Sequence, residues 1–220
     1  MLFNLARFGR TEVMGYFLDT GELVRLNQSD APAAGSPVAS IKGDRLYLFK
    51  ENAIYMWKLD IVLEPKTAVR ITETKIVDMP KEARQRSFLE ENCDGSLIAF
   101  GYSINETYWF GFYDIVGGQM LPPAPLDFRP DHFQFHWNRP DLLGFCRVYD
   151  SDLAPLDPNE PPRARIWFMN VHTRVPVPAF YQVPGEIVTH ECWWVNDQMT
   201  FIGGHHHEEG GREEGNVKVL

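Results

Sequence analysis

A short apolar run that follows a turn recurs along the chain, and this repeat limits the available folds more than any other feature of the sequence. Its aligned residues are 51, 45 and 57 positions apart, and they are Leu46, Leu97, Leu142 and Met199. Another candidate strand precedes each run, and a further apolar run that usually ends in Asp or Asn follows it. Four short strands in each repeat of about 40–50 residues are typical of a β-propeller blade, and the alternative is a β-sandwich with regular turns. We therefore predict an all-β chain with a β-propeller fold.

The repeat also predicts which strands are equivalent in successive blades. The second strands are expected near Arg45–Phe49, Ser96–Phe100, Asp141–Phe145 and Gln198–Ile202. The first strands, which would lie nearest the central channel, are expected at Pro37–Ile41, Ser87–Glu91, His132–Trp137 and Thr189–Trp194. This pattern gives about three complete blades and parts of two more. We therefore expect residues 1–220 to form part of a longer propeller, with no separate second domain.

Composition and charge exclude several classes of partner. The net charge of −9 argues against a general binder of nucleic acid or of anionic membranes. No apolar run approaches the roughly 20 residues that cross a bilayer, and the N-terminus lacks the pattern of a signal peptide. Cys93, Cys146 and Cys192 are too few and too scattered for a disulfide framework. We expect a cytoplasmic protein that binds neither nucleic acid nor a membrane.

Two of the predicted first strands are unusually polar for strands nearest the channel. In the strand His132–Trp137, a period of two puts His132, Gln134 and His136 on one face and the three aromatic residues on the other. The second polar strand is Thr189–Trp194. The alternative is that these histidines belong to the core or the rim and have ordinary hydrogen-bond partners.

Arginines and a histidine run suggest further binding residues. The segment from residue 129 to residue 174 contains six arginines and no lysine, and arginine binds carboxylates bidentately. Arg165 opens a predicted strand, where its side chain can reach a site at the end of a blade, whereas a solvated surface explains most of the others. The adjacent His205, His206 and His207 could bind a divalent metal, as in a metal sensor. Their glycine-rich flanks favour a loop between strands instead.

Several blocks between residues 132 and 204 resemble the oligogalacturonate lyases, polysaccharide lyase family 22. The blocks are His132-Phe-Gln-Phe, Pro140-Asp-Leu-Leu-Gly-Phe-Cys146, Arg163-Ala-Arg-Ile-Trp-Phe-Met-Asn170 and Thr189-His-Glu-Cys-Trp-Trp194. They occur in the order that the family has, and together they are fairly specific. Residues 1–128 resemble only the generic propeller repeat of this family and of TolB-like proteins. The resemblance implies a seven-bladed propeller of the TolB/WD40 type, of which this chain would be a part.

The resemblance also implies roles for individual residues. His190 matches the catalytic base of the family, and Arg165 matches the arginine that acts with it at the reacting uronate. His132 and Gln134 match residues that line the substrate cavity. Arg147 stands where the family usually has a His-Glu pair, and we assign it to substrate binding as well. The family uses a divalent metal, usually manganese, whose ligands are expected in later blades, so no metal ligand is assigned in this chain.

These matches predict an enzyme that cleaves short oligogalacturonates by β-elimination, as in pectin degradation. The reaction removes a proton next to a carboxylate, whose charge opposes a second negative charge, so a cation must neutralise it. An imidazole is suited to taking that proton at physiological pH. The alternative is a non-catalytic propeller that binds a protein or a glycan, because propellers often serve as scaffolds. The change at Arg147 and the missing blades favour that alternative.

Overall fold

Among the residues that the structure describes, every regular element is a β-strand, as the repeat predicts. The computed structural model describes residues 2–7, 10–26, 34–149, 161–183, 186–194, 197–205 and 216–220. The strands in these ranges are β1 (Leu2–Arg7), β2 (Arg10–Phe17), β3 (Glu22–Arg25), β4 (Ala34–Ala39), β5 (Arg45–Lys50), β6 (Ala53–Val62), β7 (Ala68–Asp78), β8 (Arg84–Glu91), β9 (Leu97–Ile104), β10 (Thr107–Asp114), β11 (Gln119–Leu126), β12 (Pro130–Phe135), β13 (Leu142–Arg147), β14 (Arg163–Asn170), β15 (Pro176–Gln182), β16 (Glu186–Trp193), β17 (Met199–His205) and β18 (Asn216–Val219). None of the described residues belongs to a helix with the length and hydrophobicity of a membrane span.

The strands form five antiparallel sheets, each built from strands that follow one another along the chain. Three sheets have four strands, namely β4-β5-β6-β7, β8-β9-β10-β11 and β12-β13-β14-β15, and the sheets β1-β2-β3 and β16-β17-β18 have three. These numbers match the three complete and two partial blades expected from the repeat. The four predicted second strands are confirmed as β5, β9, β13 and β17, each paired with the first strand of its sheet.

Burial increases from the outer strand of a sheet towards the inside. In β5 the four consecutive residues Leu46, Tyr47, Leu48 and Phe49 are all buried, whereas most residues of the outer strand β7 are exposed. A continuous apolar run is typical of a strand that is covered on both faces. The sheets must therefore pack face to face with their neighbours.

Hydrophobic clusters fill the spaces between consecutive sheets. Each cluster takes residues from two neighbours, namely Val13 with Leu48, Tyr47 with Phe100, Phe110 with Phe145, and Ile166 with Phe201. In one of them the rings of Phe110 and Phe145 meet edge to face with their centroids 5.0 Å apart. Full burial of such a ring stabilises the fold by about 1.5–3 kcal/mol. This packing brings the inner strands β4, β8, β12 and β16 side by side.

Each inner strand has an irregularity in its pairing with the second strand of its sheet. In β12 and β16 the irregular segment begins with a histidine in the left-handed region, His132 with φ 47° and His190 with φ 55°. Residues other than glycine rarely adopt this conformation, and β-bulges commonly redirect a side chain next to a functional site. Each of the two histidines therefore lies at the start of a β-bulge, and the two bulges are on neighbouring sheets.

The alternation predicted for His132–Trp137 is wrong at its C-terminal end. His136 is 1% exposed and packs edge to face against Trp193 at a centroid distance of 4.5 Å, whereas Trp137 is 66% exposed. The reason is that β12 ends at Phe135, after which a period of two no longer applies. The Nδ1 atom of His136 accepts hydrogen bonds from the amides of Asn138 and Arg139, which fixes the following turn.

The ring of Phe100 on β9 lies close to the backbone of β10 at Gly111. A methyl group at Gly111 would overlap the ring of Phe100, a rigid side chain buried between two sheets. We expect Gly111→Ala to lower the free energy of unfolding by about 1–3 kcal/mol or more, as overpacking does in other cores. Gly43→Ala is the control, because Gly43 has φ 70° and open space around it, so only backbone strain of about 1 kcal/mol applies. Equal losses for the two variants in urea unfolding would contradict the packing argument.

Candidate active site

The two histidines singled out by the sequence lie side by side. The rings of His132 and His190 are nearly parallel, with an interplanar angle of 12° and a centroid distance of 6.3 Å. Both side chains are exposed. Because β12 and β16 are the inner strands of adjacent sheets, the pair bridges two blades at the same end of both strands.

A buried carboxylate connects His132 to Arg165. Glu191 is 4% exposed, and its Oε2 lies 3.0 Å from Nδ1 of His132. Its Oε1 accepts a hydrogen bond of 3.2 Å from Nε of Arg165, which is 6% exposed. The Nη1 of Arg165 donates to the carbonyl oxygen of Arg147 at 2.7 Å. A buried charge requires such a partner, because desolvation without one costs several kcal/mol.

The protonation states of this cluster depend on one another. The hydrogen bond to Glu191 raises the pKa of His132 above its ordinary value, and partial burial opposes that rise without cancelling it. Burial opposes the ionisation of Glu191, but the hydrogen bond from His132 and the charge of Arg165 outweigh burial and lower the pKa of Glu191. Glu191 is therefore ionised at neutral pH, and it favours the cationic form of His132.

Gln134 fastens the two inner strands to each other. Its Nε2 donates to the carbonyl oxygen of Glu191 at 2.6 Å, and its Oε1 accepts from the backbone amide of Trp193 at 3.0 Å. The indole Nε1 of Trp193 donates in turn to the carbonyl oxygen of Gln134 at 3.1 Å. Both ends of the Gln134 amide thus hold the backbone around Glu191, and its assignment to substrate binding stays a prediction.

The side chain of Arg147 packs against aromatic rings. The guanidinium of Arg147 lies over the rings of Phe128 and Tyr149, at 5.0 and 4.8 Å from their centroids. Its assignment to substrate binding is not tested by this arrangement and stays a prediction. In the histidine run, His205 ends β17, and positions 206 and 207 lie outside the described residues.

Comparison of structures finds proteins similar to this chain, whereas comparison of sequences finds none. No protein-family model and no characterised protein matches the sequence. The structure is similar to oligogalacturonate lyase from Vibrio parahaemolyticus, with a TM-score of 0.73 and 17% identity over 99% of this chain. An oligogalacturonate lyase in complex with manganese has a TM-score of 0.69 and 14% identity over the same share. TolB from Acinetobacter baumannii has a TM-score of 0.58 and 11% identity over 96% of this chain and 48% of its own.

The chain has the β-propeller fold. It spans 62% of the length of each of the two lyase structures. At identities of 14–17%, this structural similarity shows the fold alone.

One cluster in the propeller has the residue types of a metal site. The ligand atoms of His132, Cys146 and Glu191 all lie within 4.8 Å of one another. Both carboxylate oxygens of Glu191 are already engaged, one by the guanidinium of Arg165 and the other by His132. A thiolate is a soft ligand, whereas manganese prefers carboxylates, carbonyls and water. This cluster therefore does not fit manganese, and the expectation of ligands outside this chain stays a prediction.

Glu191 organises the site, although the sequence motifs gave it no role. Glu191 appears in the Thr189-His-Glu block, but only His190 of that block received a role. A carboxylate next to a histidine in a predicted inner strand was the available signal, since a buried acid there requires a cation on a neighbouring strand. The irregularity that turns His190 outwards while Glu191 faces Arg165 has no such signal in the sequence.

Proposed function

We propose that this propeller is a lyase that cleaves oligogalacturonates, or closely related uronate-containing oligosaccharides, by β-elimination. The observation that carries the proposal is the stack of His190 on His132, with His132 anchored to a buried Glu191 and Arg165 pair. An exposed imidazole beside a second, cation-prone imidazole supplies the two functions that elimination next to a carboxylate requires. Two of the solved structures that resemble this chain are named as oligogalacturonate lyases, which agrees with this chemistry.

The reaction has a simple balance of protons and electrons. His190 takes the proton from C5 of the uronate, and the electrons of that C–H bond form the double bond between C4 and C5. The bond from C4 to the glycosidic oxygen breaks, this oxygen leaves with the bonding pair and gains a proton from water, and His190 releases its proton to water. Negative charge builds up on the uronate carboxylate as the C5 proton leaves, so a nearby cation lowers the barrier.

The net charge of the site depends on whether His132 is protonated. Arg165 and Glu191 are oppositely charged and hydrogen-bonded, so together they are neutral. Protonation of His132 then adds a positive charge beside His190. We infer that the cationic His132 neutralises the substrate carboxylate, and that Arg165 supports it by fixing Glu191.

The pH dependence of product formation tests this assignment. The elimination product is an unsaturated uronate, which absorbs in the ultraviolet. We expect kcat/KM to fall at high pH as His132 loses the proton that Glu191 stabilises, because the pKa of His132 is raised above its ordinary value. His132→Gln should lower kcat/KM by about tenfold or more and remove the falling limb, because no group is left to titrate there. A falling limb that is unchanged in His132→Gln contradicts the role of His132.

Two further features belong to the proposal. Manganese is the proposed cofactor, because one similar structure was solved with it, and its ligands would lie outside the residues described above. Bound metal would add Lewis-acid neutralisation of the carboxylate, and no step above depends on it. The proposed location is the cytoplasm, as the composition suggests.

A binding module is the second candidate function. Gln134 and Arg165 both donate hydrogen bonds to backbone carbonyl oxygens, as residues with a purely structural role would. A propeller of this kind would bind an oligogalacturonate without forming unsaturated product. The ultraviolet assay, run beside a direct binding measurement on the same sample, separates the two candidates.

A further inference from the structure

A third inner strand presents a cation at the place where its neighbours present histidines. The pairing of β8 with β9 shifts between Gln85 and Leu89, and Arg86 is the first residue of the shifted segment. His132 and His190 hold the same position in the shifted segments of β12 and β16. The strands β8, β12 and β16 are the inner strands of three successive sheets, and β12 contacts both of the others. Arg86 therefore belongs to the same end of the propeller as the two histidines.

The guanidinium of Arg86 is held in place by an aromatic ring. It is half-buried and lies over the ring of Tyr108, with 5.2 Å between Cζ and the ring centroid. Stacking on an aromatic ring orients the planar fork and leaves its edge available for a carboxylate. The Nε of Arg86 is buried and has no hydrogen-bond partner among the described residues. Within that same part of the chain, neither Arg84 nor Arg86 forms an ion pair.

Arg84 and Arg86 line a cavity of about 740 Å³. Small-molecule sites commonly have volumes of roughly 300–1,000 Å³. Ser103, Asn105 and Tyr108 add hydroxyl and amide groups to its wall, which suit the hydroxyls of a sugar.

Two acids, Glu82 and Glu106, also line the cavity, so its four charged groups sum to zero. Preference for one anionic ligand over another must then come from the geometry of the guanidinium group and not from excess positive charge in the cavity. This favours a singly charged carboxylate over a doubly charged phosphate.

We propose that this cavity is a subsite for the carboxylate of a second uronate unit in the oligosaccharide whose reacting unit lies at His190. The inference rests on the proposed function, and it adds a recognition element on the blade next to that of His132, on the side away from His190. A chain of uronates carries one carboxylate on each sugar, so a substrate that extends across the inner strands would offer the second carboxylate to Arg86. The arginine fork makes bidentate, charge-assisted hydrogen bonds to that group.

Calorimetric titration of the 220-residue chain with trigalacturonate tests the subsite. Arg86→Ala should weaken binding about tenfold or more, as expected for loss of a charge-assisted hydrogen bond. Arg86→Lys keeps the charge without the fork and should give an intermediate loss, and Arg84→Ala should weaken binding less because Arg84 is more exposed. Arg70→Ala is the control, since Arg70 is an exposed arginine on the outer strand β7, and it should leave affinity unchanged. A neutral galactose trisaccharide should not bind measurably.

Several results would overturn the subsite. They are an unchanged affinity in both Arg86 variants, an equal loss in Arg70→Ala, competition by inorganic phosphate as strong as that by galacturonate, or no binding of trigalacturonate at all. Failure of the proposed function looks different. If trigalacturonate binds with the expected dependence on Arg86 but no unsaturated product forms, the lyase proposal fails and the subsite stands. If product forms and the Arg86 variants bind like the wild type, the subsite fails and the lyase proposal stands.

Discussion

Replacing Glu191 by alanine should lower the free energy of unfolding by about 3–5 kcal/mol, because it removes a buried carboxylate that is hydrogen-bonded to the buried guanidinium of Arg165. Arg165 is 6% exposed, and Glu191 is its carboxylate partner at 3.2 Å. Urea unfolding monitored by tryptophan fluorescence measures the loss. The double variant Glu191→Ala with Arg165→Ala should lose much less than the sum of the single losses, since each single loss includes the same hydrogen bond.

A surface ion pair provides the control for this prediction. Lys75 and Asp78 lie 2.7 Å apart on β7, with side chains that are 47% and 74% exposed. Asp78→Ala should leave stability unchanged within error, because exposed pairs of this kind contribute little. A similar loss from Asp78→Ala and Glu191→Ala would show that burial of the pair is not the cause.

The same cluster makes stability depend on pH in a defined window. The pKa of Glu191 is lowered from 4.5, so its contribution is present above pH 4.5 and is lost as the pH falls through the lower folded value. The pKa of His132 is raised from 6.5, so its contribution is present below pH 6.5 and is lost as the pH rises through the higher folded value. The cluster therefore stabilises the fold most between pH 4.5 and 6.5, and Glu191→Gln should flatten this dependence.

Replacing His190 by alanine should reduce the rate of elimination by about a hundredfold to ten-thousandfold, the range expected for loss of a general base. Because His190 is exposed and sits at a bulge, the fold and the affinity for trigalacturonate should be kept. Ultraviolet absorbance of the unsaturated product measures the rate, and circular dichroism checks the fold.

His172→Ala is the matched control for that variant. His172 is exposed in the turn after β14, away from the contacts described for the site, and its loss should leave the rate unchanged. If His190→Ala turns over substrate as fast as the wild type, the assignment of His190 as base is wrong. The binding module would then be the better account of the chain.

The strands of each sheet could be predicted from the sequence, but the contacts between sheets could not. The residues aligned at Leu46, Leu97 and Leu142 recur with local turn signals, so the strands that contain them could be predicted. The side-chain directions at His136 and Trp137 could not, because they depend on where β12 ends and on Trp193 of the next sheet.

The site shows the same division between local and long-range information. A resemblance of motifs singled out His190 and Arg165 as partners, and the structure joins them through His132 and Glu191. No local pattern indicates that Glu191 neutralises Arg165, since the two lie on different sheets and 26 positions apart. Such pairings follow from the docking of sheets, which involves residues distant in sequence.

Each hydrophobic cluster is shared by two consecutive sheets. Each blade is therefore stabilised chiefly through its interfaces with the adjacent blades. The candidate site lies across one such interface, because His132 and Gln134 come from one blade and His190 and Glu191 from the next. Local opening of the sheet β16-β17-β18 would separate these partners while the other interfaces persist. Amide hydrogen exchange at Trp193, whose N–H is bound by Gln134 across this interface, would then report directly on how often the site is assembled.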